Sequence, residues 1–380
     1  MLNRRLILRG TAALTAFCCM TAGANRLIPM LDSVQIGRAA AEPLTEESTL
    51  TFREYSEPDT PEQSENEQEI PRTKANLLAP AQPQNSLLTL WESDGSKAMH
   101  NSGPYRNAHD GSGGTIIEKQ YSGLKGNMFF DLPGGGQVRN STFWSNSDLK
   151  KESEILPDLD IRMDGTPMVL LYHTHTTESY QDRKSGTYDS KFTFRTTEPD
   201  KNMVAVGDAI AAELTAAGIG VVHAGEIHDY PQWNGSYSRS EKTIREILAE
   251  YPSICISLDI HRDAICSGSS VIAPVCTVNG KKSAQIMVVC GCDDGTMNMP
   301  DYRKNFHLAC RIQETAESMF SGFTRPLLFD HRRYNQFISP GTLLIEVGSQ
   351  GNTLEEAVYA GTLTGKALAE TIRQLAAKKE

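Results

Sequence analysis

Three polar residues stand at or just beyond the ends of apolar runs and carry the donor atoms of a catalytic metal site. His173 follows the run 168–172, His261 follows a run that ends at Ile260, and Glu346 lies within 342–347. Two imidazoles and one carboxylate form the ligand set of zinc enzymes that keep a fourth position open for water. Zinc lowers the pKa of that water to about 7. These residue types therefore predict a zinc hydrolase.

The third zinc ligand is not fixed by spacing. His175 and Glu178 lie two and five residues after His173. Residues two apart on a strand face the same way, so His173, His175 and His261 are a possible ligand set. Glu178 is the competitor of His175. With either choice, Glu346 remains available as the carboxylate that moves a proton during catalysis.

Charged neighbours surround these positions. Asp259 and Asp263 flank His261 and are candidates to orient its imidazole, as the histidines of metal sites usually require. Arg262 and Arg239 are candidates to bind a carboxylate of the substrate. Each of these residues alone is more often an ordinary surface or hydrogen-bonded group. The hypothesis therefore rests on their joint placement.

The elements that must position these residues alternate between strands and helices. Ser238 to Glu241 has the pattern of a capping box and predicts the start of one helix. Strands separated by helices favour an α/β fold with a mostly parallel twisted sheet and helices on both faces. In such sheets, ligands bind beyond the carboxyl ends of the strands. The predicted strands are 168–172, 220–222, 254–260, 284–290 and 342–347, and the predicted helices are 203–217, 241–248, 305–320 and 354–377.

The first 26 residues have the pattern of an export signal or a membrane anchor. Arg4, Arg5 and Arg9 precede the apolar run 10–24. Both interpretations place the rest of the chain outside the cytoplasm. We therefore expect a cell-membrane protein with a single N-terminal anchor and an extracytoplasmic catalytic domain.

The following segment is acidic and predicts a disordered tether. Between positions 42 and 74, ten acidic residues stand against three basic ones, which accounts for seven of the ten net negative charges. The remainder is nearly neutral, which excludes a nucleic-acid partner. We expect an anchor or signal at 1–26, a tether at 27–86, a small subdomain or arm at 87–157 and a zinc hydrolase domain at 158–380.

Several long motifs resemble the stage II sporulation protein P family. They are the segments 171–180, 227–231, 234–239 and 258–264, with a looser match at 130–138. The segment 346–352, followed by Glu355 and Glu356, is similar to the catalytic-glutamate segment of a wider group of zinc N-acetylmuramoyl-L-alanine amidases. The resemblance implies an amidase-like fold.

The resemblance also implies roles for individual residues. By likeness, His173, Glu178 and His261 would bind Zn and Glu346 would be the catalytic acid and base. The preference for Glu178 over His175 comes from this resemblance alone.

The activity implied by the resemblance is hydrolysis of peptidoglycan. The enzyme would cleave the muramoyl-L-alanine amide and peptide cross-links during septal wall remodelling and engulfment in sporulation. Stage II sporulation proteins D and M are the implied partners. Two rivals remain open: a zinc carboxypeptidase acting on wall peptides, and a non-catalytic wall-binding scaffold.

Overall fold

The computed structural model describes residues 113–189 and 191–378, together with the backbone of 76–78. The predicted anchor lies outside the described residues, as does the predicted tether except for 76–78. The strands are β1 (Asn76–Leu78), β2 (Gly114–Lys119), β3 (Phe129–Asp131), β4 (Gln137–Asn140), β5 (Pro167–Tyr172), β6 (Thr187–Tyr188), β7 (Gly220–His223), β8 (Ile256–Asp263), β9 (Cys266–Ser267), β10 (Ser270–Val278), β11 (Lys281–Ala284), β12 (Ile286–Gly291), β13 (Leu327–Asp330) and β14 (Thr342–Ser349). The helices are α1 (Asn146–Glu154), α2 (Met203–Ala216), α3 (Ser236–Glu250), α4 (Tyr302–Met319) and α5 (Leu354–Ala377).

A nine-stranded sheet forms the centre of the described part, in the order β1-β7-β5-β8-β14-β12-β13-β4-β3. Five of its eight neighbouring pairs are parallel, and the pairs β1–β7, β14–β12 and β4–β3 are antiparallel. The α/β class is confirmed, and the sheet is mixed. Strand β12 reverses direction because the chain enters it directly from β11, without a crossover helix.

A second sheet was not anticipated from the sequence. It has five strands, with β11, β10, β2 and β6 in order and β9 paired to β10. Strand β2 comes from the region predicted as a small subdomain or arm, and β3 and β4 of the same region form one edge of the central sheet. This region therefore contributes strands to both sheets.

Helices cover both faces of the central sheet. Alternate residues of a strand point to opposite faces, and β5 shows this directly. Leu171 packs into the main core that contains residues of α2, α4 and α5. Leu170 and Tyr172 pack instead with Ile244 and Ile247 of α3. The two sides are called the α2 face and the α3 face below.

The predicted strands and helices are present, with differences at their ends. The capping box predicted at Ser238 is wrong: α3 begins at Ser236, and Gly235 occupies the N-cap with a left-handed φ of 78°. A capping box does open α5, where Thr353 and Glu356 bond each other's backbone. Within residues 113–378 as described, no helix combines the length and apolarity needed to cross a bilayer.

Candidate metal and catalytic site

Strand register separates two histidines that the sequence placed together. Strands β5 and β8 are parallel, with Tyr172 beside Asp259. His173 therefore comes next to Ile260, and its Nδ1 lies 2.9 Å from the Ile260 carbonyl oxygen. Neighbouring residues on a strand face opposite sides. His173 consequently lies on the α2 face, and His261 lies on the α3 face.

On the α2 face, His173 is completely buried and bonded at both ring nitrogens. Its Nε2 lies 2.9 Å from Nε2 of His223, so one ring donates and the other accepts. Nδ1 of His223 lies 2.9 Å from Oδ1 of Asp208. Burial, followed by the neighbouring His223, lowers the pKa of His173 well below its usual value. This geometry gives no support to the prediction that His173 binds the metal.

On the α3 face, four predicted residues come together. The turn that follows β5 carries His175 across the strand end, and its ring centroid lies 5.2 Å from that of His261. Nδ1 of His261 lies 3.9 Å from Oε2 of Glu178. Glu346 on β14 is the register partner of His261 on β8. Each of the four residues keeps a small exposed fraction, between 4% and 7%.

A buried carboxylate supports His261 from behind. Oδ1 of Asp259 lies 2.8 Å from Nε2 of His261, although that nitrogen has no acceptor in hydrogen-bond geometry. The backbone N–H and hydroxyl of Thr174 donate to Asp259 and hold it in place. Burial lowers the pKa of His261, but Asp259, with Glu178 and Glu346, raises it to about 10. The α3 face therefore stabilises a positive charge at this position.

A second carboxylate lies near His175, whose Nδ1 is within hydrogen-bond distance of the Ser236 hydroxyl, at 3.4 Å. Oδ2 of Asp229 lies 4.0 Å from the same nitrogen and accepts a hydrogen bond of 2.6 Å from Nη1 of Arg195. Nη2 of Arg195 lies 3.6 Å from Oε1 of Glu178. Burial lowers the pKa of His175 and raises the pKa of Asp229. Sequence reasoning missed Asp229 and Arg195; the motif 227–231 contains Asp229 and was the available signal.

Arg262 supports a loop and does not face a substrate. It is buried, and its guanidinium donates to the carbonyl oxygens of Ser179 and Phe194. Its backbone N–H donates to Oε2 of Glu178, at 3.2 Å. Arg262 therefore positions the segment that carries Glu178, and its predicted role as a substrate ligand is not supported.

Two other predicted residues are also committed to structural contacts. Arg239 donates to the carbonyl oxygens of His228 and Gln232. Asp263 accepts a hydrogen bond from Nη1 of Arg325, at 2.8 Å. The carboxylate next to the His261 ring is therefore Asp259 and not Asp263. The contacts of Arg239 therefore stabilise the loop before α3.

The donor set on the α3 face fits zinc by its chemistry. Within the described ranges, no three His, Cys, Asp or Glu side chains lie close enough together to hold a metal ion. His175, Glu178 and His261 nevertheless supply two imidazoles and a carboxylate. Both imidazoles also have a carboxylate near one nitrogen, as metal-bound histidines usually do.

Comparison with known families identifies a sporulation protein. The family model described as stage II sporulation protein P matches residues 39–373. Stage II sporulation protein P of Bacillus subtilis (strain 168) is 27% identical over 214 residues, which is 53% of this chain and 50% of the relative. The match therefore spans half the length of that relative.

Solved structures show only a distant likeness. N-acetylmuramoyl-L-alanine amidase AmiC2 of Nostoc punctiforme has a TM-score of 0.33 and 15% identity, covering 56% of this chain and 97% of that chain. The CwlD amidase from Clostridioides difficile, in complex with the GerS lipoprotein, has a TM-score of 0.35 and 11% identity, covering 56% and 99%. A metallo-carboxypeptidase from Burkholderia cenocepacia has a TM-score of 0.31 and 9% identity, covering 61% and 70%.

Proposed function

The chain belongs to the stage II sporulation protein P family, and on that premise we propose that it is a zinc-dependent peptidoglycan hydrolase. Its substrates are the muramoyl-L-alanine amide and the peptide cross-links of the wall. The observation that carries this proposal is the convergence of His175, Glu178 and His261 beside Glu346 on one face of the sheet.

We assign the metal ligands to His175, Glu178 and His261. This assignment keeps two of the three ligands predicted from the sequence and replaces His173 by His175. Zinc held by these residues supplies a Lewis acid that polarises the amide carbonyl and lowers the pKa of water. Asp259 and Asp229 lie 2.8 Å and 4.0 Å from nitrogens of the two imidazoles and would orient them in the metal-bound protein.

Glu346 moves the proton in this proposal. Its carboxylate takes a proton from the attacking water and delivers it to the leaving amine, as general acid and base catalysis requires. The register partner His261 keeps Glu346 at the carboxyl end of β14, next to the ligands. The side chain is 7% exposed, so it can reach a substrate while it remains shielded from bulk water.

The cellular setting is proposed from family membership. We place the protein at the cell membrane, held by the segment 1–26, with the catalytic domain outside the cytoplasm. Its role is wall remodelling at the septum and engulfment during sporulation, together with stage II sporulation proteins D and M. The arginine-flanked apolar run at 10–24 supports the anchor.

Product analysis on purified sacculi tests the activity. We expect released stem peptides with a free L-alanine amine, cleaved cross-links, and loss of both products after chelation. Glu346→Gln should lower the rates by about 10²- to 10⁴-fold, because it removes the proton carrier and leaves the metal ligands in place.

The matched control is Glu355→Gln, which changes a glutamate of the same sequence segment whose side chain is 78% exposed. It should leave the rates unchanged. Release of single amino acids would indicate the carboxypeptidase rival instead. Intact binding to sacculi without any product would indicate the scaffold.

A further inference from the structure

Three aromatic side chains border the site on one side. The Trp233 ring stacks on His175, with centroids 4.9 Å apart and an interplanar angle of 12°. The Tyr237 ring lies parallel to His261 at 6.5 Å, and Tyr334 lies parallel to Tyr237 at 5.5 Å. All three side chains are partly exposed. This row of rings, Trp233, Tyr237 and Tyr334, is called the aromatic rim.

A constrained loop holds the outer ring of the rim. Tyr334 and Asn335 have φ values of 38° and 55°, in the left-handed region that residues other than glycine rarely adopt. The buried Asn335 amide donates to the Tyr237 carbonyl at 2.9 Å and to the Ser240 hydroxyl at 3.0 Å. Such conformations persist where the surroundings enforce them, and they cluster at ligand clamps. The fold therefore fixes Tyr334 against Tyr237.

Charged side chains also lie at the site. Arg195, with 31% of its side chain exposed, lies between Asp229 and Glu178. At the rim, Arg332 pairs with Asp330, donates to the Tyr334 hydroxyl and lies over the Tyr334 ring, with its Cζ 5.8 Å from the ring centroid. The rim therefore combines aromatic rings with one guanidinium, and a second guanidinium lies beside Glu178.

We propose that the aromatic rim is a subsite for a hexosamine ring of the glycan strand. This inference rests on the proposed function, since a muramoyl-alanine amide joins an uncharged sugar to a charged peptide. A sugar ring presents an apolar C–H face that stacks on an aromatic ring, and its hydroxyl and acetamido groups bond to polar edges. Tyrosine offers both surfaces. The sugar therefore lies on Tyr334 and Tyr237, and the peptide extends toward Arg195.

Binding of peptide-free glycan strands tests the subsite without any hydrolysis. The whole chain carrying Glu346→Gln is titrated with strands of alternating N-acetylglucosamine and N-acetylmuramic acid, and tryptophan fluorescence or co-sedimentation reports binding. Adding Tyr334→Ala should weaken binding about tenfold. Tyr334→Phe keeps the ring and should retain most of the affinity.

Two further variants act as controls. Phe143→Ala removes an aromatic side chain that is 93% exposed and outside the rim, and it should leave binding unchanged. Tyr334→Leu keeps an apolar side chain without the aromatic face, and a melting curve confirms that it is folded. A folded Tyr334→Leu protein should bind as weakly as Tyr334→Ala.

Two results would overturn the proposal: no binding of glycan strands by the Glu346→Gln protein, or equal binding by Tyr334→Ala. Neither depends on catalysis, so failure of the proposed hydrolysis is seen separately in the product analysis. In the catalytically competent protein, Tyr334→Ala should raise KM for glycan-linked substrate more than it lowers kcat. The rise in KM should be larger for glycan-linked substrate than for glycan-free cross-linked peptides.

Discussion

Two pairs of histidines lie on opposite faces of the central sheet, near the carboxyl ends of its strands, and they differ in how their ring nitrogens are bonded. On the α2 face, His173 and His223 bond each other directly, with 2.9 Å between their Nε2 atoms. On the α3 face, the rings of His175 and His261 lie 5.2 Å apart, each with a carboxylate near one nitrogen. The first pair is satisfied by the protein itself. The second is the pair to which we assign the metal.

The pKa shifts set His261 apart from the other two histidines. Burial and His223 lower the pKa of His173, and burial and His261 lower the pKa of His175. Asp259, Glu178 and Glu346 instead overcome burial at His261 and raise its pKa to about 10. A histidine in a conspicuous motif is therefore not by itself a ligand.

Gly207→Ala should disturb the packing of His173 and His223 on the α2 face and leave the proposed metal ligands on the α3 face in place. A Cβ at this position would lie 2.4 Å from His223 Nε2 and 2.9 Å from His173 Cε1. Replacing a helical glycine by alanine is normally stabilising. Here we expect a loss of about 1–3 kcal/mol in the free energy of unfolding, because the two rings must move.

Urea unfolding of the metal-free protein measures the effect of Gly207→Ala. Gly186→Ala is the control, since a Cβ there meets no atom within 4 Å. Zinc stoichiometry of the folded Gly207→Ala protein should stay at the wild-type value. Unchanged stability would show that α2 does not pack closely against the His173–His223 pair.

Asp259→Asn should weaken the α3 face selectively. The substitution removes the negative charge that lies 2.8 Å from His261 Nε2 but keeps a side chain that Thr174 can bond. Loss of such a supporting carboxylate typically lowers metal affinity 10- to 100-fold. Competition with a chromogenic zinc chelator measures this affinity. Asp263→Asn is the matched control, because Asp263 bonds Arg325 and not an imidazole; equal losses in both variants would contradict the role of Asp259.

The pH dependence of stability should report the buried histidines with lowered pKa values, of which His173 lies on the α2 face. His173 has a lowered pKa when folded, so below about pH 6.5 the unfolded chain takes up a proton that the folded chain does not. The stabilisation is present above that pH and is lost as the pH falls, by about 1.4 kcal/mol per pH unit for one histidine. His175 and His228 act in the same direction.

Unfolding of metal-free protein between pH 6.5 and pH 5, roughly the range in which histidine titrates, measures this slope. His173→Asn should reduce the slope of the unfolding free energy against pH by the contribution of one histidine proton. His261 acts in the opposite direction near the upper end of this range, where the unfolded imidazole is only partly protonated, and its effect fades as the pH falls. An unchanged slope would show that His173 is not held neutral by the fold.

Much of the fold was predictable because strand and helix periodicity is local. The apolar runs in the sequence predict strands that end near His261 and Glu346. The parallel register of β8 and β14 then brings these two residues side by side. The alternation of side chains along strand β5 ends at Tyr172, however. The turn that follows places His175 on the α3 face, opposite to His173. Only the register of β5 with β8 reveals that His173 and His261 diverge.

Other features depend on contacts between distant segments. Asp229 and Arg195 lie on separate loops and meet near His175, so the motif 227–231 could point to Asp229 but not to its pairing with Arg195. The second sheet pairs β2 with β10, which are more than 150 residues apart, for example Ile116 with Val271. Propensity does not encode such pairings.

Zinc content after exhaustive dialysis tests the central assignment most directly. His175→Ala and His173→Asn proteins, each shown to be folded by circular dichroism, are compared with wild type. The assignment predicts that His173→Asn retains close to the wild-type zinc content and that His175→Ala loses it. Loss of zinc from His173→Asn, with full retention by His175→Ala, would contradict it.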